Sequence, residues 1–278
     1  MMEMMEMIKM NLTDALNEFE PKRESELLIG YNENGDLRSH NFKEGNLLVA
    51  GTIGSAKTIT IHQLILSGMF NWEPQYLQFA LYDPKQVEYG VYKDSPHLLG
   101  GVMVKYEEFS EHLKRLKTYV EERANLFNQI DVHDIDGYNK YAKENDVDIL
   151  PNIITIIDEI ADFLLRCSEE DKKRFISMVQ KARAFGVHFV ISSQTARSEI
   201  FTKEIRTAVP NRLVMKLSNA MESTVMMGES GAELLEGKGQ SYYINSFDKE
   251  FVQSTFVSDE NVRGLCDYFE SENSEYGQ

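Results

Sequence analysis

The sequence predicts an α/β fold with a mostly parallel central sheet that is covered by helices on both faces. The first observation is a set of β-branched, apolar runs, as at 47–50 and 153–157, that lack the polar alternation of a half-exposed strand. Such runs are typical of strands that are buried on both faces of a parallel sheet. The second observation is that helical patterns follow these strands, as at 57–70. Strands that alternate with helices favour parallel pairing, because each crossover helix covers one face of the sheet.

The remaining elements follow from the same patterns in chain order. Residues 27–31 predict a strand, and the Asn- and Gly-containing turn at 32–36 predicts a hairpin. Further along, Leu113, Leu116 and Val120 recur at the spacing of one buried helical face. The predicted series after the hairpin is a strand at 47–50, a helix at 57–70, a strand at 79–83, a helix at 110–129, a strand at 153–157, a helix at 175–185, strands at 187–192, 212–217 and 240–244, a short strand from 250 and a helix from about 259.

Composition and charge limit the classes of function. The 278 residues carry a formal net charge of −16, so contact with nucleic acid must come from a local basic patch. Two cysteines, Cys167 and Cys266, are too few for a disulfide framework or a cysteine metal site, which fits a reducing cytoplasm. Residues 1–10 lack the basic region of a signal peptide, and no apolar run approaches the ~20 residues of a membrane span. We therefore expect a cytoplasmic protein with no membrane span in this chain.

A glycine-rich turn between a strand and a helix is the most specific local motif. The strand at 47–50 runs into Gly51, and Lys57 and Thr58 open the helix, which is the layout of the P-loop pattern G-x-x-x-x-G-K-[ST]. In a P-loop the backbone N–H groups of the turn cradle phosphates, and the helix N-terminus adds its positive dipole end. Lys57 is expected to reach the β- and γ-phosphates, and the Thr58 hydroxyl to bind Mg²⁺. The residues expected to line the nucleotide are Gly51, Thr52, Ile53, Gly54, Ser55, Ala56, Lys57 and Thr58.

A second strand ends in two carboxylates. The run at 153–157 continues into Asp158 and Glu159. An Asp at the carboxyl end of a buried parallel strand can hold Mg²⁺ and its water shell, so Asp158 is expected to share the metal and the nucleotide with Thr58. Glu159 is expected to polarise the attacking water as the catalytic base. Taken alone, the pattern also fits a core strand that runs into an acidic turn, and the upstream P-loop favours the functional interpretation.

Further motifs occur along the chain between residue 27 and about residue 268. They are LLVAGTIGSAKT at 47–58, DPK at 83–85 with EY at 88–89 and PHLL at 96–99, ER at 122–123 with DGYN at 136–139, PNIITIIDEIAD at 151–162, KARAFGVH at 181–188, GAE at 231–233, GKG at 237–239 and FVSDE at 256–260. In this order they resemble the FtsK/SpoIIIE-type DNA-translocating motor domain, which belongs to the FtsK–HerA group of P-loop ATPases. Several ordered motifs are far more specific than one P-loop.

The resemblance implies a RecA-like P-loop NTPase that uses ATP and Mg²⁺ to move double-stranded DNA. It implies a ring of identical subunits, with six as the expected number, in which ATP lies between neighbours. Gln194, at the end of the strand at 187–192, would act as a γ-phosphate sensor and join Lys57 and Glu159 in catalysis; the alternative is a surface turn. Arg206 and Arg212 are candidate arginine fingers, and for each of them a solvated ion pair is the alternative.

The chain departs from the family pattern at several positions. Ala56 replaces the Gly before the P-loop lysine, and if φ is positive there we expect a cost on the order of 1 kcal/mol. Ser193–Ala196 stands where the family has TQRP, and Thr224 occupies the place of an Arg in the segment DSRTIL. These departures keep two alternatives open. One is a degenerate P-loop adaptor that binds nucleotide with weak or no hydrolysis, and the other is a coupling or secretion ATPase.

The expected domain organisation is a helical appendage at 1–28, a RecA-like ATPase domain at 29–268 and an acidic tail at 269–278. No segment resembles the family's membrane-anchored half, so we expect a protein of a mobile element or phage. Two basic clusters are candidate DNA contacts, and either also fits a solvated surface. They are Arg197, Lys203 and Arg206 in one, and Arg166, Lys172, Lys173 and Arg174 in the other.

Overall fold

The computed structural model describes residues 11–245, 248–258 and 260–267. The strands are β1 (Glu26–Asn32), β2 (Leu37–Asn41), β3 (Leu47–Ala50), β4 (Leu77–Tyr82), β5 (Leu98–Met103), β6 (Asn152–Ile157), β7 (Val187–Ser193), β8 (Asn211–Met215), β9 (Gln240–Ile244) and β10 (Lys249–Gln253). The helices are α1 (Leu12–Glu18), α2 (Lys57–Asn71), α3 (Tyr106–Gln129), α4 (Ile135–Asn145), α5 (Ile160–Arg166), α6 (Glu169–Lys181), α7 (Lys203–Ala208), α8 (Ala220–Met227) and α9 (260–267).

The ten strands form one sheet in the order β2-β1-β10-β9-β8-β3-β7-β6-β4-β5. The six strands from β8 to β5 are parallel, and β9, β10, β1 and β2 extend the sheet with antiparallel pairs. The predicted mostly parallel sheet is therefore confirmed. Ala50 at the end of β3 pairs with Ser193 at the end of β7, and Ile157 at the end of β6 pairs with Ile191 of β7. The loops that follow β3, β6 and β7 consequently meet at one edge of the sheet, where open α/β sheets bind ligands.

Apolar side chains of the central strands alternate between two cores, one on each face. Leu47 and Val49 of β3 pack in the same cluster as Ile61 of α2, and Leu48 packs on the opposite face with Leu113 of α3. All four residues of β3 and all six of β6 are buried. Helices therefore cover both faces, and the uninterrupted apolar runs in the sequence reflect burial from two sides.

The segment before β1 packs against the main core. Asn11 caps α1 by accepting a hydrogen bond at 2.8 Å from the Asp14 backbone N–H. Leu12 and Leu16 are at most 1% exposed and join the cluster that contains α2. β1 begins at Glu26, within the expected appendage. The boundary at residue 28 stays a prediction, and residues 1–10 and the expected acidic tail lie outside the described residues.

Several helix boundaries differ from the sequence pattern for local reasons. α3 begins at Tyr106 because the Glu108 carboxylate accepts hydrogen bonds from the backbone N–H groups of Val104 and Lys105. α6 begins at Glu169, where Ser168 supplies the N-cap and accepts from the Asp171 N–H at 3.1 Å. Across the described ranges, none of the helices combines the length and the apolar composition that a bilayer crossing requires.

Candidate nucleotide-binding site

The turn between β3 and α2 is anchored on both neighbouring strands. The Gly51 N–H donates to the Ser193 carbonyl at 3.1 Å, and the Thr52 N–H donates to the Lys216 carbonyl at 2.9 Å. A Cβ on Gly51 would lie 2.5 Å from the Ser55 Oγ, so a larger residue does not fit at this position. Gly54 has φ of +82° and no atom within 4 Å of an added Cβ, which leaves open space beside the turn. The turn thus has the shape of a phosphate-binding loop fixed to the sheet edge.

Ala56 adopts the left-handed conformation, with φ of 72° and ψ of 26°. The φ of Ala56 is therefore positive, as the expected strain required. The strain is on the order of 1 kcal/mol, because only Gly enters that region freely. The conformation is retained because the helix starts there. Ala56 is the N-cap of α2, and its carbonyl accepts a hydrogen bond from the Thr60 N–H at 3.0 Å.

The ammonium group of Lys57 lies at the ends of β6 and β7. Its Nζ is 3.0 Å from the Asp158 carbonyl oxygen, 3.2 Å from Asp158 Oδ1 and 2.5 Å from Ser192 Oγ. Both Lys57 and Asp158 are almost completely buried. The pattern in the sequence therefore brings the P-loop lysine and the Asp of the second motif into direct contact. These three contacts satisfy all three donors of the Lys57 ammonium group.

The oxygens of Thr58 and Asp158 have the chemistry that Mg²⁺ prefers. Thr58 is half-buried, and its hydroxyl makes no hydrogen bond within the described residues. Asp158 Oδ2 faces Lys85 Nζ at 3.9 Å, while Oδ1 faces Lys57. Throughout the described ranges, no group of three His, Cys, Asp or Glu side chains is placed to hold a metal. The residues fit a Mg²⁺ ion that takes one carboxylate, one hydroxyl and the remaining ligands from phosphates and water.

Glu159 and Gln194 are brought together by adjacent strands. The Glu159 carboxylate accepts hydrogen bonds from the Ser193 hydroxyl at 2.6 Å and from the Gln194 backbone N–H at 2.8 Å. It also caps α5 through a longer bond, 3.3 Å, from the Ala161 N–H. Glu159 is only 7% exposed, so its oxygens are occupied and shielded in this conformation. The Gln194 side chain is half-buried at the same edge.

Asp83 organises the loop that follows β4. It is fully buried, and its carboxylate accepts hydrogen bonds from the backbone N–H groups of the five residues 85–89. The Tyr89 hydroxyl at the end of this loop is 3.5 Å from Asp158 Oδ1. Asp83 therefore serves the conformation of the loop, while Lys85 and Tyr89 reach the site.

Arg206 and Arg212 contact their own chain. Arg206 Nη1 donates to the Val225 carbonyl at 3.2 Å, and Arg212 Nη2 donates to the Arg206 carbonyl at 3.1 Å. Arg212 Nη1 also donates to the Met226 carbonyl at the end of α8. Burial, and then the charge of Arg206, lower the pKa of Arg212. Within the described residues neither pairs with a carboxylate, so the alternative of a solvated ion pair is not seen for either, and the role of arginine finger stays a prediction.

The two basic clusters differ in how far they are neutralised. Arg174 pairs with Glu170 at 2.6 Å and with Asp171. Arg197 and Lys203 are exposed, and neither has an ion-pair partner among the described residues. In the second cluster Arg174 alone is paired, since Arg166, Lys172 and Lys173 likewise have no ion-pair partner among the described residues.

The sequence analysis did not foresee that the turn at 237–239 braces the P-loop. The Gly239 N–H donates to the Ser55 carbonyl at 2.9 Å, and a Cβ on Gly237 would lie 2.9 Å from the Gly54 carbonyl oxygen. Gly237, Lys238 and Gly239 all have positive φ. The GKG spacing signals such a turn, but the partner of the turn depends on the register of β8 and β9.

The P-loop turn, the buried Lys57 and the two carboxylates that follow β6, Asp158 and Glu159, together define a P-loop ATPase domain with the RecA-like fold. The model of the FtsK/SpoIIIE family matches residues 9–198 of this chain, and the chain belongs to this family.

Curated relatives agree with this assignment. DNA translocase FtsK from Staphylococcus epidermidis (strain ATCC 35984) is 32% identical over 261 residues, covering 91% of this chain and 33% of the relative. DNA translocase FtsK from Streptococcus pyogenes serotype M3 is also 32% identical over 261 residues, with the same coverage. The chain spans about a third of the length of these relatives.

Two solved structures share the fold. The conjugation coupling protein TcpA of pCW3, solved with ATPγS, superposes with a TM-score of 0.81 at 18% identity, over 95% of this chain and 74% of that chain. The cytoplasmic domain of the type VII secretion ATPase EccC from Thermomonospora curvata gives a TM-score of 0.80 at 19% identity, over 94% of this chain and 34% of that chain. At these identities the likeness concerns the fold alone.

Proposed function

We propose that this protein is an ATP-driven translocase of double-stranded DNA that works as a ring of identical subunits. The observation that carries the proposal is the contact between Lys57 and Asp158 at 3.2 Å, in a chain that belongs to the FtsK/SpoIIIE family. We propose DNA as the substrate because the relatives are named DNA translocase FtsK. Because ATP and chromosomal or plasmid DNA are found in the cytoplasm, we place the protein there. The expected origin in a mobile element or phage stays a prediction.

In the proposed mechanism each residue keeps one task. The N–H groups of the P-loop turn and Lys57 bind the phosphates, and Thr58 and Asp158 hold Mg²⁺, which supplies neutralisation of phosphate charge when bound. Once the Glu159 carboxylate has released its hydrogen bonds with Ser193 and Gln194, it orients and deprotonates the attacking water. Gln194 follows the state of the terminal phosphate through its place beside Glu159.

The ring is proposed from the openness of the site. The turn presents Ile53 at 89% exposure, and other large apolar side chains that follow the same sheet edge are also exposed. These are Val87, Leu165 and Met221. Exposed apolar side chains in the segments that follow these strands are groups that a neighbouring subunit would cover. With six subunits as the expected number, DNA would pass through the centre and contact Arg197 and Lys203.

Ala56 supports a second candidate, a nucleotide-binding adaptor with weak or no hydrolysis. Its left-handed conformation places backbone strain in the turn that is proposed to bind the phosphates. The third interpretation, a coupling or secretion ATPase, is supported only by fold similarity to proteins so named.

ATP turnover measured with and without duplex DNA tests the proposal directly. A translocase hydrolyses ATP faster when DNA is present, and Lys57→Ala abolishes that activity. Nucleotide binding with no turnover, with or without DNA, would favour the adaptor. Turnover that DNA leaves unchanged would favour the secretion or coupling class.

A further inference from the structure

The P-loop turn lies between two lysines that belong to different parts of the sheet edge. β3, which runs into the turn, pairs with β7 on one side and with β8 on the other. Lys57 Nζ lies on the β7 side, 2.5 Å from Ser192 Oγ. Lys216 follows directly after the last residue of β8. Because β3 and β8 are parallel, Lys216 reaches the same edge of the sheet on the opposite side of the turn.

The backbone of Lys216 is attached to the turn. Its carbonyl oxygen accepts hydrogen bonds from the Thr52 N–H at 2.9 Å and from the Thr52 hydroxyl at 3.0 Å. The next residue, Leu217, is 2% exposed and donates its N–H to the Ala232 carbonyl at 3.3 Å. The segment cannot move away from the P-loop without breaking these contacts, so Lys216 has a defined position beside the turn.

The side chain of Lys216 runs past the tip of the turn. A Cβ on Gly237 would lie 3.7 Å from Lys216 Cδ, and the same Cβ would lie 2.9 Å from the Gly54 carbonyl oxygen and 3.7 Å from Ser55 Cα. The aliphatic part of Lys216 and the two P-loop residues therefore border one small space, which a glycine at 237 leaves free. The ammonium group, two bonds beyond Cδ, is thus close to the turn that is proposed to bind the phosphates.

The charge of Lys216 is not neutralised by any group in the described part of the chain. Lys216 is half-buried, and its Nζ has neither an ion-pair partner nor a hydrogen-bond acceptor among these residues. The Lys57 ammonium group differs, because it donates to Asp158 and Ser192. An ammonium group with three available donors is suited to bind phosphate oxygens through charge-assisted hydrogen bonds.

We propose that Lys216 is a second phosphate-binding lysine of the nucleotide site, which contacts phosphate oxygens from the side of the turn opposite to Lys57. This role rests on the proposed function, since it assumes that the turn binds a nucleoside triphosphate. A triphosphate bears several negative charges, and a lysine binds phosphate as a point charge that needs no fixed orientation. Lys216 therefore adds attraction for the phosphate chain and makes no contact with the base or the sugar.

Binding of a fluorescent ATP analogue with Mg²⁺, and its displacement by inorganic tripolyphosphate, test the proposal. Lys216→Met keeps the aliphatic stem beside Gly237 and removes the charge. It should weaken binding of both ligands by the same factor, roughly tenfold, which is the value of one charge-assisted hydrogen bond. Lys216→Arg keeps the charge and should bind both ligands within about threefold of the parent. Lys93→Met is the control and should bind like the parent, because Lys93 is 73% exposed and pairs with Asp94 at 3.6 Å.

Parental affinity of Lys216→Met for tripolyphosphate would overturn the proposal, because a loss confined to the ATP analogue would place Lys216 at the base or the sugar. Equal losses in Lys216→Met and Lys216→Arg would also overturn it, since shape rather than charge would then decide binding. The urea midpoint of unfolding of Lys216→Met should equal that of the parent, and weaker binding with a lower midpoint would assign Lys216 a structural role instead. A parent that binds neither ligand would refute the proposed function as well, whereas equal binding by the parent and Lys216→Met refutes only the role of Lys216.

Discussion

The carboxylate of Glu159 accepts a hydrogen bond at 2.8 Å from the backbone N–H of Gln194. The Ser193 hydroxyl occupies the other oxygen at 2.6 Å, so the end of β7 holds the N-cap residue of α5, two positions after β6. A carboxylate bound in this way has little freedom to take a proton from water. In the proposed role of Glu159 as base, turnover would require these two segments to separate locally, and a substitution that moves the Gln194 backbone would change a hydrogen bond of Glu159.

Glu159→Gln should reduce ATP hydrolysis by at least about a hundredfold, because an amide cannot accept the proton of the attacking water. Its affinity for ATP should stay within about threefold of the parent, since the amide has the same shape and Lys57 is untouched. Phosphate release and a nucleotide titration measure the two quantities. Glu169→Gln, on the surface of α6, is the control. Parental turnover by Glu159→Gln would remove Glu159 from the role of base.

Ala56→Gly should raise both nucleotide affinity and turnover. Ala56 has φ of 72° in the folded chain, so relief of strain on the order of 1 kcal/mol raises the free energy of unfolding. Affinity rises because Gly lets the turn adjust its backbone angles to the phosphates without a Cβ penalty. The two forms are compared side by side by titration and by phosphate release. If binding and hydrolysis both stay below detection in the Ala56→Gly variant, the site is degenerate for other reasons and the adaptor becomes the better interpretation.

Nucleotide and duplex DNA should promote a concentration-dependent oligomer. The physical reason is that a second copy would bury exposed apolar side chains such as Ile53 in the P-loop turn, which is 89% exposed. Analytical ultracentrifugation with an ATP analogue and DNA measures the effect. Lys57→Ala should lose the response to nucleotide. A protein that sediments as a monomer under all of these conditions would contradict the ring.

Charge reversal of the cluster after β7 should weaken DNA binding. Arg197→Glu with Lys203→Glu removes two exposed cations, so the slope of log affinity against log salt should fall by about two. Binding to unrelated duplexes should weaken equally, because phosphate contacts carry no sequence information. Lys172→Glu with Lys173→Glu is the comparison. Unchanged affinity after the first pair and a loss after the second would assign the contact to α6.

The free energy of unfolding should decrease as the pH falls from 6.5 towards 4. Burial lowers the pKa of His40 and His112 from 6.5 to about 4 and that of His188 to about 3. In this range the unfolded chain binds more protons than the folded one, so acid favours unfolding. Each pKa unit corresponds to about 1.4 kcal/mol. Urea unfolding at several pH values measures the slope; His112→Asn should reduce it, and the exposed His133→Asn should not.

The sequence was sufficient for features that depend on neighbouring residues. The apolar run at 153–157 predicted a buried parallel strand, and the spacing from Gly51 to Thr58 located the turn and the start of α2. β5 was missed because Gly100 and Gly101, both with positive φ, interrupt its pattern. α5 was missed because seven residues are too few for a clear helical period.

Features that depend on the register of distant strands could not be predicted. The contacts of Lys57 with Asp158 and Ser192 require β3, β7 and β6 to pair side by side in the observed register. The contacts of Arg206 and Arg212 with α8 likewise arise only after β8 has been placed. The residue types in the sequence defined the candidates, and the sheet determined which of them met.

The brace between the turn at 237–239 and the P-loop has a mechanical consequence. Gly239 binds the Ser55 carbonyl, and the Lys238 carbonyl accepts a bond at 2.9 Å from Gln253 Nε2 at the end of β10. β10 in turn pairs with β1. A displacement of the P-loop turn would therefore act on β10 and β1 through two hydrogen bonds, each 2.9 Å long. These contacts connect the P-loop to the antiparallel half of the sheet, up to β2, without passing through the parallel strands.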